Sequence, residues 1–172
     1  MPAPKTWVIA PPKKTLVVGV ADMTASNDPG AELVTYSLGS CLGIAIYDPV
    51  KKAGGLLHVM LPSSSIDPDK AVRSPFMFVD TGVPRLFRAV NGMGGESRRF
   101  VVKVAGGAKM MDAKDIFSIG HRNDLKLKEI LDGAGYTVHV RDVGGLTYRT
   151  MRMSMANGQV TIQSPGTPPY TL

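Results

Sequence analysis

The stretch 35–62, TYSLGSCLGIAIYDPVKKAGGLLHVMLP, holds the only cysteine of the chain, Cys41, and one of its three histidines, His58. A thiol within reach of an imidazole is the minimal pair for nucleophilic acyl transfer, because the ring can take the thiol proton and release a strong nucleophile. The elements that must bring the two together are legible. Residues 42–47 (LGIAIY) and 55–61 (GLLHVML) read as strands, with the turn residues Asp48-Pro49 and Gly54-Gly55 between them. Antiparallel pairing about the loop 48–53 brings Cys41 opposite His58 or nearly so, at roughly 5 Å between Cβ atoms. A slip of one residue would turn the two side chains to opposite faces.

Each residue also has a purely structural reading. A free cysteine is most often a small buried hydrophobe, and a histidine in an apolar strand is most often a satisfied core residue. The surroundings of Cys41 favour chemistry. Gly39 and Gly43 flank it and leave backbone uncovered, so that a substrate carbonyl can approach closely. The backbone N–H groups of Gly39, Ser40 and Cys41 are candidates for holding an oxyanion. Thr35 lies six residues upstream of Cys41, before the Leu38-Gly39 turn. Folded back, its hydroxyl could orient the second ring nitrogen of His58, completing a set of nucleophile, base and orienter.

The remaining sequence supplies the frame. At 172 residues the chain is long enough for one domain with a substantial core. The expected division is a mobile tail over 1–14, a single domain over 15–163, and a second mobile tail over 164–172. No apolar run approaches the ~20 residues of a membrane-spanning helix, so membrane insertion is not expected. One cysteine rules out an internal disulfide and suits a reducing cytoplasm. The histidines have no metal-ligand spacing, and neither a metal nor an organic cofactor is expected. The net charge is +6 and the pI about 9.6. The positive residues are scattered without interleaved exposed aromatics, which reads as a solvated basic surface, and nucleic acid is not an expected partner.

Thr15–Val20 and 32–37 read as strands, the second delivering Thr35, with a loop at 25–30. The serine-rich stretch 62–74 reads as a mobile loop flanking the hairpin. A helix is expected from Asp80 or Thr81 to about Asn91, burying Val83, Leu86, Phe87 and Val90. A strand at 99–105 precedes the loop 109–118, whose Met110, Met111, Ile116 and Phe117 either tuck into the core or form a docking edge for a helical partner. A second helix is expected from Asn123 or Asp124, burying Leu127, Ile130, Leu131 and Ala134. His121, just ahead of it, reads as a surface or capping residue, and His139 as exposed within a strand at 136–142. Met151, Met153 and Met155 form a core stripe, and Asn157-Gly158 turns the chain into a last strand at 159–163. Hairpins with two principal helices argue for an α+β fold, a layered sandwich of mixed, largely antiparallel sheets. No exposed apolar helix face is evident, which favours a monomer.

TYSLGSCLGIAIYDP followed by GGLLHVMLP closely resembles the CheD family of chemoreceptor glutamine deamidases. The resemblance continues through VDTGVP at 79–84, VAGGAKM at 104–110, IGHRN at 119–123 and DVGG at 142–145, and covers about residues 15–163. It departs from the family at Phe78-Val79-Asp80, where a tyrosine commonly stands first, and at Tyr148-Arg149, where a glycine–arginine pair is usual. The resemblance implies an α/β/β arrangement and a catalytic triad of Cys41, His58 and Thr35. It implies a cytoplasmic chemotaxis hydrolase that converts glutamine side chains of receptor helices to glutamate through a thioester, without a cofactor. Glutamyl methyl esters are a further expected substrate, and a CheC-type phosphatase an expected regulatory partner.

Overall fold

The computed structural model describes residues 14–110 and 118–172. In chain order the strands are β1 (Lys14–Val17), β2 (Asp22–Ser26), β3 (Ala31–Leu38), β4 (Leu42–Asp48), β5 (Ala53–Val59), β6 (Val101–Gly106), β7 (Val140–Val143), β8 (Arg149–Ser154), β9 (Val160–Gln163) and β10 (Tyr170–Thr171). The helices are α1 (Pro68–Arg73), α2 (Val79–Gly92) and α3 (Ile119–Gly133). The strands form two five-stranded sheets, ordered β1-β3-β8-β9-β10 and β2-β5-β4-β6-β7. The β1–β3 and β6–β7 pairs are parallel and the others antiparallel.

Strand periodicity explains the layers. Every residue of β4 and β5 is buried, because both faces of their sheet are covered, so they read as continuous apolar runs. Leu42, Ile44 and Ile46 pack with Val83, Leu86 and Val90 of α2 and with Leu127 and Leu131 of α3. The alternate residues Ala45, Tyr47 and Leu56 pack against Leu33, Met151 and Met153 of the other sheet. Helices, a sheet and a second sheet therefore stack in three layers, the expected α/β/β sandwich with α2 and α3 as its principal helices. Each large apolar side chain buried between layers contributes about 1.5–3 kcal/mol.

Several elements differ from the sequence expectation. The strand β2 was not expected: its alternation is short, only Met23 and Ala25 between polar neighbours, and these two pack against the core on the helix side while the backbone pairs with β5, Asp22 opposite His58. The stretch 62–74 is built rather than open, containing a 3-10 turn at Ser64–Ile66 and the short helix α1. Asp80 does not cap α2, which starts one residue earlier. Its carboxylate accepts from the N–H and hydroxyl of Ser64 and from the hydroxyl of Ser63, tying down the segment that follows His58's strand. Helix α3 begins at Ile119, so Asn123 lies in its second turn rather than at its cap. The expected strand 136–142 is confined to β7. The C-terminal segment expected as a tail supplies the edge strand β10, with Tyr170 opposite Ile162.

Candidate active site

The hairpin register is the one the turn residues imply: Leu42 pairs with Val59, and Gly43 with His58. Cys41 lies one residue before β4, on the same face as Gly43 because side chains alternate, and so sits diagonally across from His58. The face they share looks into the space between the two sheets. Thr35 reaches it from the opposite sheet rather than from a turn folded back, and its Oγ1 lies 2.7 Å from His58 Nδ1, fully buried.

One further bond sets the tautomer. Thr35 Oγ1 donates to the Val18 carbonyl at 2.8 Å. A hydroxyl has a single proton, so toward the ring Thr35 must accept, and Nδ1 carries the hydrogen. Nε2 is then the basic nitrogen. It is buried and has no hydrogen-bond partner among the described residues, which leaves it free to take a proton. Val18, fixed by its own N–H to the Val34 carbonyl at 2.7 Å, thus acts on His58 through Thr35.

The chain crosses from one sheet to the other over Gly39-Ser40-Cys41. A bulge prepares the crossing: Thr35 pairs with Met151 but Leu38 with Arg149, and Ser37 adopts a left-handed φ of 59°. All three carbonyls of the crossing are held. Ala108 N–H donates to Gly39 at 2.8 Å, Asn123 Nδ2 to Ser40 at 3.1 Å, and Gly107 N–H to Cys41 at 2.8 Å. Gly106 makes this approach possible. Its φ is +111°, and a Cβ there would lie 2.2 Å from the Cys41 oxygen. Of the three oxyanion candidates, Gly39 already donates its N–H to the Ser37 carbonyl at 2.9 Å, which leaves, among the described residues, the N–H groups of Ser40 and Cys41.

The protonation states follow from burial. Desolvation pushes His58 down to about 4, because Thr35 is a neutral partner and offers no charge to favour an imidazolium. Burial also pushes the Cys41 thiol up, partly offset by the dipole of its own nearby backbone N–H. At neutral pH the pair is therefore thiol and neutral imidazole, not an ion pair.

The structure brings Thr35 and His58 into contact and sets Cys41 on their face. His121 and His139 are exposed and do not join them. His121 instead lines a cavity of about 390 Å³ with Lys109, Asp124 and Arg141, beside Gly107. Met110 lies over Gly39, its sulfur 3.0 Å from where a Cβ would stand. Met111, Ile116 and Phe117 lie outside the described residues. Phe78 is buried, and Arg149 joins Asp142 at 2.8 Å and the Gly144 carbonyl at 2.9 Å. No group of three or more His, Cys, Asp or Glu among the described residues is placed to hold a metal, and none of the described helices is long and apolar enough to cross a membrane. Sequence reasoning missed Val18, which acts through its backbone, and Asn123. The latter had a signal: Gly120, Asn123, Leu127 and Leu131 share one buried helix face.

The family model described as CheD chemotactic sensory transduction matches residues 60–164. That match begins after Thr35, Cys41 and His58. Longer matches span them: a protein of Solibacter usitatus named "probable chemoreceptor glutamine deamidase CheD" is 46% identical over 151 residues, covering 88% of this chain and 89% of its own. A protein of Syntrophus aciditrophicus with the same name, numbered CheD 1, is 43% identical over 89% of this chain and 96% of its own. One from Desulforamulus reducens is 44% identical over 88% and 91%. The glycine cradle at 104–110 and the helix entry at 119–123, both within the matched region, are the elements that hold the crossing loop, and the chain belongs to the CheD family.

Proposed function

We propose that this protein is a chemoreceptor glutamine deamidase working in the cytoplasm, with Cys41 as nucleophile, His58 as general base and Thr35 as the residue that orients the ring. The observation that carries the mechanism is the chain Val18 carbonyl, Thr35 hydroxyl, His58 Nδ1–H, which leaves Nε2 as a buried base. Substrate carboxamide entering at the crossing loop brings the thiol and Nε2 together. Nε2 takes the thiol proton as Sγ attacks the amide carbon, and the N–H groups of Ser40 and Cys41 receive the oxyanion. The intermediate collapses, the proton on Nε2 passes to the departing nitrogen, and ammonia leaves a thioester. Water then gives a proton to Nε2 and adds to the thioester. Collapse returns the proton to sulfur and releases glutamate.

Because Thr35 is neutral, the imidazolium formed in each step is balanced by the developing oxyanion rather than by a resident carboxylate. This keeps the resting site uncharged. A glutamyl methyl ester presents the same carbonyl with methanol as leaving group, and we extend the proposal to it. The scattered basic surface suits glutamate-rich receptor helices by steering them. A CheC-type phosphatase is the regulatory partner the family resemblance suggests, and co-elution of the two purified proteins tests it.

Mass spectrometry of a receptor cytoplasmic fragment incubated with the native protein or with Cys41→Ala tests the activity. Conversion of particular glutamines to glutamate by the native protein alone supports the proposal. Conversion by both removes Cys41 from the mechanism, and conversion by neither refutes the activity on that substrate.

A further inference from the structure

Asn123 is fully buried in the second turn of α3, and both bonds of its side-chain N–H₂ converge on the candidate site. Nδ2 donates to the Ser40 carbonyl at 3.1 Å and to the Met60 carbonyl at 3.0 Å. Ser40 immediately precedes Cys41, and Met60 lies two residues beyond His58. One side chain from a third element therefore ties together the two segments that carry the thiol and the imidazole. The amide orientation is dictated by its surroundings, since the reverse would press Oδ1 against two other acceptors.

Oδ1 is buried and has no partner among the described residues. Leucines occupy the next positions on the same face, Leu127 and Leu131. An asparagine at this place gives up apolar packing and leaves an acceptor unsatisfied, both of which are unfavourable in a core. Two directed donors are what it supplies instead. Gly120, one turn earlier, fixes how close the helix comes: a Cβ there would lie 2.5 Å from the oxygen of Gly107, whose N–H holds the Cys41 carbonyl.

We propose that Asn123 is a positioning residue for the deamidation, holding the Ser40 and Met60 carbonyls so that the Cys41 thiol faces His58 Nε2 while the Cys41 N–H stays directed at the oxyanion. The inference rests on the reading of Cys41 and His58 as nucleophile and base. Without the amide, the Ser40 carbonyl loses its donor and the peptide before Cys41 is free to rotate.

The test is deamidation of a receptor cytoplasmic fragment by the full chain, with kcat and KM followed by mass spectrometry for the native protein, Cys41→Ala, Asn123→Asp and Asn123→Ser. Circular dichroism and thermal melting define the folded fraction. Asn123→Asp keeps the shape and loses the donors, so kcat falls about a hundredfold at neutral pH with KM unchanged. A carboxylate facing two carbonyls takes up a proton more readily than a solvated one, and the protonated acid restores one of the two bonds. The ratio of Asn123→Asp to native kcat therefore rises as pH falls, while Asn123→Ser has a lowered kcat without that trend. Native kcat in the folded variants, or an Asn123→Asp ratio indifferent to pH, overturns the inference and leaves the proposed function standing. Activity in Cys41→Ala overturns both. Should Asn123→Asp fail to fold, Asn123→Ser decides: lowered kcat at native KM supports the inference, and native kcat overturns it.

Discussion

The buried, neutral state of His58 has a thermodynamic consequence that does not depend on finding a substrate. In the unfolded chain the ring titrates near 6.5, whereas in the fold burial pushes it down to about 4. Below pH 6.5 the unfolded state takes up a proton that the folded state refuses, so stability falls with pH. The contribution is complete above pH 6.5, is lost progressively on acidification, and levels off near pH 4. Between pH 7.5 and 4.5 the shift corresponds to a loss of about 2–3 kcal/mol. Asp48 works in a lower window. Hydrogen bonds from Arg99 and from the N–H groups of Glu96, Lys51 and Val50 hold its carboxyl well below the usual carboxylate range, so its contribution is lost only below about pH 4. Urea unfolding of the native protein and of His58→Gln at pH 7.5, 6.0, 5.0 and 4.5 (about 3 units of pH) isolates the histidine, because every other group titrates in both proteins. The native protein should lose about 2–3 kcal/mol more than the variant over that range. Stability profiles that run parallel to within about 0.5 kcal/mol would refute the reasoning.

Three further outcomes follow from the same geometry. The alkylation rate of Cys41 by iodoacetamide in the free protein should keep rising above pH 8 with no plateau between pH 5 and 7; such a plateau would mark a thiolate–imidazolium pair. Thr35→Val removes the hydroxyl and leaves His58 Nδ1 buried without a partner, at a cost of about 1–3 kcal/mol in unfolding free energy. Its kcat should fall by roughly 10²-fold or more as the tautomer is freed, whereas Thr35→Ser keeps most of the activity. Gly106→Ala places a Cβ on the Cys41 carbonyl oxygen at a positive φ, so the melting temperature should drop sharply, reflecting a loss of about 2 kcal/mol or more, and the residual folded protein should be inactive.

What could be read from the sequence were features carried by pattern. The hairpin announced itself through apolar runs and turn residues, and its register fell where Asp48-Pro49 and Gly54-Gly55 put it. The methionine stripe of β8 and the apolar face of α2 were equally direct, since periodicity of 2 and 3.6 is a local property. Thr35 was placed near His58, but by the wrong route: no local signal says that β3 belongs to the opposing sheet. Strand β2 carries a period-2 pattern, but it is only two apolar residues long, Met23 and Ala25, and runs straight into the turn residues at 27–30, too short a signal to mark a strand. Val18 was invisible because its carbonyl would do its work beneath any side chain. Asn123 was read as a helix start because asparagine favours caps. Tertiary context overrode that preference, since the first turn of α3 rests on Gly107 through Gly120.

The most direct measurement is interception of the thioester. The native protein turning over a receptor fragment in the presence of hydroxylamine should yield glutamyl hydroxamate at the same positions that otherwise become glutamate. Cys41→Ala should give neither product, because hydroxylamine attacks an acyl-enzyme and not a resting amide. Deamidation by the native protein with no hydroxamate at any hydroxylamine concentration would mean that water attacks the amide directly, and the covalent role assigned to Cys41 would be wrong.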